Sequence, residues 1–294
     1  MPNKQTSSTE CRCHAQLARA GDNTGVLDSL RRRYRGRSWT PITLGLSGAR
    51  VWRVEGTPAV YVKTTEHSQH RDSGFSLAAE ADRLRWLATQ GMPVPEVLDV
   101  GADEQFAWLI TAAVAGRTAA DLWPEDERDA VVDAVADIAL TLHTLPVAEC
   151  PFDRRLAVTV PNALHAATGG LADLDNLDAE RAGWTVAQLV DALTRTRPAT
   201  EDLVVCHGDF CLPNVLLDQS THRVTGLIDV GRIGVADRYW DLALITRSLR
   251  HEMNGQYDEE HADRFLRRYV AATPALSDVD LDRMAFYRLL DEFF

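Results

Sequence analysis

The most informative part of the chain reads His207-Gly208-Asp209-Phe210-Cys211-Leu212-Pro213-Asn214 and continues, after thirteen further residues, as Ile228-Asp229-Val230-Gly231-Arg232. The two stretches supply Asp209, Asn214 and Asp229 in a fixed order. A phosphoryl-transfer site needs such a set, because one carboxylate orients the attacking hydroxyl while an amide oxygen and a second carboxylate hold Mg²⁺ on a nucleotide. An isolated Asp or Asn in a loop is usually a turn former or a cap, but the ordered triple favours the catalytic interpretation.

The residues around this triple are typical of short strands. The apolar segment 203–205 predicts a strand that leads into the His-Gly-Asp loop. Two more strands, 215–217 and 223–228, are predicted on either side of a polar turn. Because the strands of a hairpin lie side by side, we expect Asn214 and Asp229 to lie close together.

Lysine usage in this chain is unusual. Of the 31 lysine and arginine residues, only Lys4 and Lys63 are lysines. Lys63 ends the alternating apolar run 59–63, which predicts a strand. A compact ammonium group on a flexible stem suits contact with phosphate as a point charge. We therefore expect Lys63 to bind nucleotide phosphates; the alternative is a solvated lysine at a strand end.

A helix is predicted over residues 76–90, with Ser76 as its N-cap. Its apolar stripe consists of Leu77, Ala81, Leu84, Leu87 and Ala88. Glu80 lies on the same stripe, where a carboxylate is costly unless a cation meets it. Lys63 is the expected partner, as in the protein-kinase device that positions the nucleotide phosphates. The alternative is a solvated Glu80 at the edge of the stripe.

Beyond these motifs, the chain resembles the aminoglycoside phosphotransferases. The resemblance rests on segment 203–244, which contains Val-Val-Cys-His-Gly-Asp, Leu-Pro-Asn, Ile-Asp-Val-Gly-Arg and Gly-Val-Ala-Asp-Arg-Tyr. The C-terminal segment 285–294 resembles the 3′-phosphotransferase branch, the kanamycin and neomycin kinases, and segments 150–156 and 178–184 fit as well. The resemblance implies direct in-line transfer of the γ-phosphate of ATP to a sugar hydroxyl of a polycationic aminoglycoside.

The resemblance also implies roles for individual residues. The expected catalytic residue is Asp209, and the expected Mg²⁺ ligands are Asn214 and Asp229. The expected ATP-binding residues are Lys63, Glu80 and Ser47, the last in a nucleotide-covering turn over 44–49. The expected substrate-binding residues are Asp178, Glu180, Arg232, Arg247, Asp291, Glu292 and Phe294.

The expected fold class is α+β, with the bilobal fold of protein kinases. A small N-terminal β-sheet lobe would contain one main helix, and a larger C-terminal lobe would be mostly helical. The predicted strands of the small lobe are 51–54, 59–63, 96–100 and 106–111, and the predicted long helices of the large lobe are 124–145 and 279–294. The expected divisions are a disordered tail 1–24, an N-terminal lobe 25–111, a hinge 112–116 that meets adenine, and a C-terminal lobe 117–294.

Composition and charge narrow the class of partner. With 294 residues and 45 % hydrophobic residues, the chain can fill a large core. A net charge of −12 disfavours nucleic acid and anionic membranes as partners and favours polycations. Since there is neither an apolar run of roughly 18 residues nor a signal-peptide pattern, we expect a cytoplasmic protein. The five cysteines form no paired framework, which indicates reduced thiols.

Acidic residues are concentrated where a cationic substrate is expected to bind. Asp291, Glu292 and the terminal carboxylate of Phe294 crowd the negative dipole end of helix 279–294, and a cationic ligand would relieve this conflict. A second acidic group consists of Asp173, Asp175, Asp178 and Glu180. The alternative is a frayed terminus and an ordinary acidic loop. Ser248 stands where relatives often carry an acid, which would weaken substrate binding.

Two other functions are compatible with these motifs. One is a kinase of a different small-molecule hydroxyl, such as the 3″ position of streptomycin. The other is a catalytically silent, kinase-like binding protein, against which the intact catalytic set argues. The C-terminal Asp-Glu-Phe-Phe favours the 3′ branch over the 3″ branch.

Overall fold

A computed structural model describes residues 24–42, 49–68, 70–274, 276 and 278–294, with the side chains of 24–26 left out. The predicted tail lies outside the described residues except for Thr24, which begins helix α1 (Thr24–Arg33). The predicted nucleotide-covering turn, with Ser47, also lies outside them except for its last residue.

The N-terminal part contains a five-stranded antiparallel sheet with the order β1-β2-β3-β5-β4. Its strands are β1 (Trp39–Ile42), β2 (Arg50–Val54), β3 (Val60–Glu66), β4 (Val97–Ala102) and β5 (Phe106–Ala112). In the central strand β3, Val60, Val62 and Thr64 are buried, so the alternation of a strand leaves Tyr61 and Lys63 on the opposite face. The four strands predicted here are confirmed. Strand β1 was not predicted, because its mostly exposed residues show no apolar alternation.

Helix α2 (Leu77–Thr89), which the sequence predicts over 76–90, packs against strands β4 and β5 of this sheet. Its N-cap is Ser76, whose hydroxyl accepts a hydrogen bond from the backbone N–H of Ala79 at 3.3 Å. The buried face of α2 includes Glu80 among apolar residues. Burial of this face directs the Glu80 carboxylate toward the sheet and the C-terminal part.

The C-terminal part is mostly helical, which confirms the predicted α+β, bilobal class. Its helices are α3 (Arg128–His143), α4 (Leu156–Thr168), α5 (Val186–Thr196), α6 (Tyr239–Arg250), α7 (Glu259–Ala271) and α8 (Leu281–Asp291). The helix predicted from Pro124 begins instead with a 3₁₀ turn, 125–127, before α3. Helix α8 begins two residues later than predicted, where the Asp280 side chain caps it by accepting from the N–H of Arg283 at 3.0 Å, and it ends at Asp291 instead of residue 294. No helix among the described residues combines the length and apolar character that a membrane span requires.

Short strands position the two motif loops. Strand β7 (Leu203–Cys206) pairs with β10 (Gly234–Asp237), and β8 (Val215–Leu217) pairs with β9 (Val224–Leu227) and with β6 (Arg117–Thr118). One loop connects β7 to β8 and the other connects β9 to β10. Because β7 lies beside β10 and β8 beside β9, the two loops emerge next to each other. The strands predicted at 203–205, 215–217 and 223–228 are confirmed.

A buried ion pair joins the N-terminal and C-terminal parts. Asp72, which precedes α2, accepts from the guanidinium of Arg154, and both side chains are almost fully buried. The Asp72 carboxylate also accepts from Asn162 Nδ2 at 3.2 Å and from the N–H of Gly74 at 2.7 Å. Although burial opposes the effect, Arg154 lowers the pKa of Asp72. The start of α2 is therefore fixed to the C-terminal part.

Asp237 in β10 predicts a pH dependence of stability. Its side chain is fully buried, and burial raises its pKa to about 6. In the native state Asp237 stays protonated up to about pH 6, whereas in the unfolded chain it ionises near its ordinary, lower pKa. The native state therefore has its full stability below that ordinary pKa and loses stability as pH rises through about 6. Relative to Asp237→Asn, the wild type is expected to lose about 2 kcal/mol of unfolding free energy between pH 4 and 7.5.

Urea unfolding across this pH range measures the difference between the two proteins. Asp282→Asn, which alters an exposed acid on α8, is the matched control. A constant difference between wild type and Asp237→Asn at all pH values would contradict the prediction.

Candidate active site

The ammonium group of Lys63 lies between two carboxylates from distant parts of the sequence. Its Nζ is 2.9 Å from Glu80 Oε2 of α2 and 2.7 Å from Asp229 Oδ1 of the loop after β9. The Lys63 side chain is 18 % exposed and the Glu80 side chain 7 % exposed, so this ion pair is largely shielded from water. The structure thus contains the Lys63–Glu80 pair that the sequence predicts.

The protonation of this cluster follows from burial and charge. Burial alone would lower the pKa of Lys63, but Asp229 and Glu80 together raise it above its usual range. Burial raises the pKa of Glu80 against the opposing effect of Lys63. The charge of Lys63 lowers the pKa of Asp229. The cluster therefore holds a protonated lysine facing an ionised Asp229.

Asn214 and Asp209 are in direct contact. Asn214 Nδ2 donates to Asp209 Oδ2 at 3.0 Å and to the Asp209 carbonyl at 2.9 Å. The backbone carbonyl of Asn214 accepts from the N–H of Ile228 at 3.0 Å, which places Asp229 beside it. Asp209 is only partly buried, whereas Asn214 is 4 % exposed. The three residues of the motif therefore lie close together.

The oxygen atoms of Asn214 and Asp229 fit Mg²⁺. Asn214 uses its amide nitrogen toward Asp209, so its Oδ1 is the atom left to face a ligand. Asp229 has a left-handed backbone conformation (φ 54°), which Asp tolerates better than most residues, and about half of its side chain is exposed. Carboxylate and carbonyl oxygens are the protein ligands that Mg²⁺ prefers.

Helix α6 holds the start of the Asp209 loop. Asp241 Oδ2 accepts from the N–H of His207 at 2.7 Å, and its Oδ1 accepts from the N–H of Gly208 at 2.8 Å. Asp241 was not predicted, although an acid on the apolar face of a helix gives the same signal as Glu80. His143 Nε2 lies 3.0 Å from Asp241, and His143 Nδ1 lies 2.6 Å from the Tyr269 hydroxyl.

His143, Cys206 and Asp241 are close enough together to resemble a metal site. All three are buried, and both nitrogens of His143 and both oxygens of Asp241 already have hydrogen-bond partners. The Cys206 thiol donates to the Asp237 carbonyl at 3.3 Å. We therefore interpret this cluster as a hydrogen-bonded support of the loop.

A cavity of about 500 Å³ lies beside the predicted hinge. It is lined by Arg53, Ala59, Tyr61, Ala113, Val114, Ala115 and Gly116. Tyr61 shares one face of β3 with Lys63, two residues further on. Tyr61 was not predicted, because strand alternation places it on the face of Lys63 but does not show which cavity that face borders.

The acids predicted to meet a cationic substrate are paired with arginines of the chain. Asp291 contacts Arg247 Nη2 at 2.6 Å and Arg232 Nη1 at 2.9 Å. Arg247 also reaches Asp178 at 3.3 Å. Arg232 and Arg247 thus already offset the negative charge of Asp291 at the end of α8, and the relief of the remaining charge by a cationic ligand stays a prediction.

Glu292 and the terminal residue complete this group. Arg181, which was not predicted, contacts Glu292 at 3.0 Å, while the N–H of Asp178 donates to the same carboxylate at 3.2 Å. Burial, reinforced by Asp178, raises the pKa of Glu292 to about 7. The Phe294 ring lies 5.5 Å from the Arg232 guanidinium. Glu180 is mostly exposed, with its side chain 74 % accessible.

Comparison with known proteins places these features in a family. Residues 38–287 match the family model described as "Phosphotransferase enzyme family". The aminoglycoside 3′-phosphotransferase of Streptomyces ribosidificus is 53 % identical over 267 residues, which cover 90 % of this chain and 99 % of that protein.

Two solved structures of aminoglycoside phosphotransferases are also similar to this chain. The crystal structure of an aminoglycoside-3′-phosphotransferase of type VIII is 49 % identical, with a TM-score of 0.84 over 91 % of this chain and 97 % of that one. The aminoglycoside phosphotransferase APH(3″)-Id of Streptomyces rimosus, in complex with ADP and streptomycin, is 32 % identical, with a TM-score of 0.74 over 92 % of this chain and 97 % of that one.

The Lys63–Glu80 pair gives a prediction for nucleotide binding. Glu80→Gln leaves Lys63 with Asp229 alone, so the ammonium is expected to shift away from the phosphates, and the affinity for Mg-ADP is expected to fall about tenfold. Because burial already raises the pKa of Glu80, a neutral glutamine should be tolerated and the fold retained. Titration calorimetry measures the affinity.

Asp82→Asn is the matched control, since it removes an exposed acid from the same helix. Equal Mg-ADP affinities for the Glu80 and Asp82 variants would show that Glu80 does not position the nucleotide.

Proposed function

The chain belongs to the phosphotransferase enzyme family, and on that premise we propose that it is an ATP-dependent aminoglycoside 3′-O-phosphotransferase that inactivates kanamycin- and neomycin-type antibiotics. The observation that carries the proposal is the convergence of Asp209, Asn214 and Asp229 beside the Lys63–Glu80 pair. The high identity to a 3′-phosphotransferase over almost the whole of that relative supports the acceptor hydroxyl. Nucleotide binding is supported by the related structure that contains ADP.

In this proposal, ATP binds between the two lobes, and the hinge 112–116 marks their boundary. The adenine ring occupies the cavity next to residues 113–116, where Tyr61 offers an aromatic face for stacking. Lys63 contacts the phosphates, and Glu80 holds Lys63 in place. This arrangement accounts for a lysine at the one strand position where a point charge is required.

Asn214 and Asp229 would hold Mg²⁺ on the nucleotide. When bound there, the ion neutralises charge on the transferring phosphoryl group. The chain contributes the fixed position of both ligands, since the Asn214 amide is anchored on Asp209 and the Asp229 carboxylate on Lys63. A lysine this close to Asp229 also keeps that carboxylate ionised and ready for a cation.

Asp209 is assigned the role of orienting the sugar hydroxyl. Its Oδ2 is held by Asn214, and its partly exposed carboxylate can accept the hydroxyl proton late in the transfer. A loose transition state needs positioning of the hydroxyl more than a strong base. No covalent phosphoenzyme is required.

The aminoglycoside is assigned to the group of acids and arginines at the end of α8. Asp178, Asp291 and Glu292 are pre-positioned by arginines, while Glu180 and the terminal carboxylate of Phe294 supply further negative charge. Fixed carboxylates lose little side-chain entropy when they meet ammonium groups. Arg232 and Arg247 hold these acids in place and are assigned to the same substrate site.

The proposal predicts a defined substrate profile. ADP release is expected with kanamycin, neomycin and ribostamycin and not with a 3′-deoxy aminoglycoside, which lacks the acceptor hydroxyl. Asp209→Asn should lower kcat by at least about a thousandfold, while Mg-ADP binding is unchanged. A coupled assay for ADP gives the rates.

Turnover of streptomycin alone would indicate a 3″-kinase instead. An active Asp209→Asn variant would refute the catalytic assignment. No turnover with any antibiotic, together with normal Mg-ADP binding, would favour a kinase-like binding protein.

The terminal carboxylate gives a further prediction. Appending two glycines after Phe294 moves the carboxylate while Phe293, which is fully buried, stays in the core. The KM for kanamycin is expected to rise about tenfold, and the KM for ATP to stay constant, because one charge contact with the antibiotic is lost. An unchanged KM for kanamycin, measured on a variant with wild-type thermal stability, would remove the terminus from the substrate site.

A further inference from the structure

Ser248 on helix α6 is a buried residue with a contact to the catalytic loop. The sequence suggested that a serine at this position weakens substrate binding. In the structure Ser248 is only 8 % exposed, and its Oγ accepts a hydrogen bond from the backbone N–H of Leu212 at 3.1 Å. Its hydroxyl is therefore directed at the loop 207–214.

We propose that Ser248 is a positioning residue that fixes the Mg²⁺-binding end of this loop. The inference rests on the proposed function, since it assigns Asn214 as a ligand of Mg²⁺. Ser248 acts through the backbone of Leu212 and touches neither substrate nor nucleotide.

The position of Leu212 controls the position of Asn214. Leu212 begins the 3₁₀ turn Leu212–Asn214, and its carbonyl accepts from the N–H of Val215 at the end of that turn. The N–H of Asn214 in turn donates to the carbonyl of Cys211 at 3.0 Å. Since a single 3₁₀ turn moves as a unit, a hydrogen bond that holds its first residue also holds Asn214.

Side chains of helix α6 accept hydrogen bonds from the loop on both sides of Asp209. Asp241 binds the N–H groups of His207 and Gly208 before the catalytic residue, and Ser248 binds Leu212 after it. Positions seven apart lie on the same face of a helix, so two turns of α6 present both acceptors to one loop. The length of this helical segment therefore sets the spacing between the two anchored ends of the loop.

Ser248 is itself held in place from the other side. Asn254 Nδ2 donates to the Ser248 carbonyl at 2.8 Å and lies 3.4 Å from its Oγ. Asn254 is 9 % exposed, which keeps water away from this contact. The preceding residue, Arg247, reaches Asp291 and Asp178 instead. Ser248 thus contacts the catalytic loop, while the neighbouring Arg247 contacts the acids of the proposed substrate site.

The test compares two hydroxyl deletions on the same helix. Ser248→Ala removes the acceptor for Leu212. Thr246→Val is the matched control, because the buried Thr246 hydroxyl donates to the carbonyls of Leu242 and Ala243 within α6 itself. The measurements are amide hydrogen exchange at Leu212 by NMR, the affinity for Mg²⁺ in the presence of ADP, and the KM for kanamycin.

For Ser248→Ala we expect exchange at Leu212 to be about fivefold to tenfold faster and Mg²⁺ affinity to be weaker by a similar factor, the size of one hydrogen bond. The KM for kanamycin should not change, and Ser248→Thr, which keeps the hydroxyl, should restore the Mg²⁺ affinity. A merely structural role would lower thermal stability without this selective effect on Mg²⁺.

Equal behaviour of Ser248→Ala and Thr246→Val in exchange and Mg²⁺ affinity would overturn the proposal. If Ser248→Ala does not fold, Asn254→Ala, which frees the Ser248 side chain, is measured in the same way and is expected to show the same loss of Mg²⁺ affinity. Failure of the proposed function is a separate result. If the wild-type protein phosphorylates no antibiotic, hydrogen exchange at Leu212 and Mg²⁺ binding still measure the hydrogen bond between Ser248 and Leu212.

Discussion

The ammonium group of Lys63 is the point at which three separate parts of the chain must meet. Strand β3 supplies the lysine, helix α2 supplies Glu80, and the loop after β9 supplies Asp229. A buried carboxylate without a cation is strongly destabilising, so Glu80 on an apolar helix face requires Lys63. Because Asp229 is contributed by the other lobe, this one cation joins the N-terminal sheet to the expected metal site.

The rest of the interface between the lobes keeps that meeting point fixed. Arg83, one turn after Glu80 on α2, donates to the carbonyl of Ile233 at 2.9 Å, close after Asp229 in the sequence. The buried pair of Asp72 and Arg154 fixes the segment before α2. Helix α2 cannot move away from the C-terminal part without breaking these contacts.

Arginine and carboxylate pairing also shapes the substrate side of the cleft. The protein has a net charge of −12, yet Asp291 and Glu292 at the end of α8 are each held by an arginine. The planar guanidinium group can bind two acids at once, as Arg247 does with Asp178 and Asp291. Arginine side chains thus hold the carboxylates of this region in place.

The amino-acid sequence by itself determined the α+β class, the main strands and helices, and the pairing of Lys63 with Glu80, because periodicity and buried charge are local properties. It could not show that Arg181 meets Glu292, that Tyr61 borders the cavity at the hinge, or that Ser248 faces Leu212 rather than a substrate. These contacts join residues that are far apart in the chain, and the direction of a side chain toward such a partner depends on how helices α6 and α8 pack. Only the tertiary structure decided whether a charge is already neutralised within the chain, since that depends on which elements fold beside it.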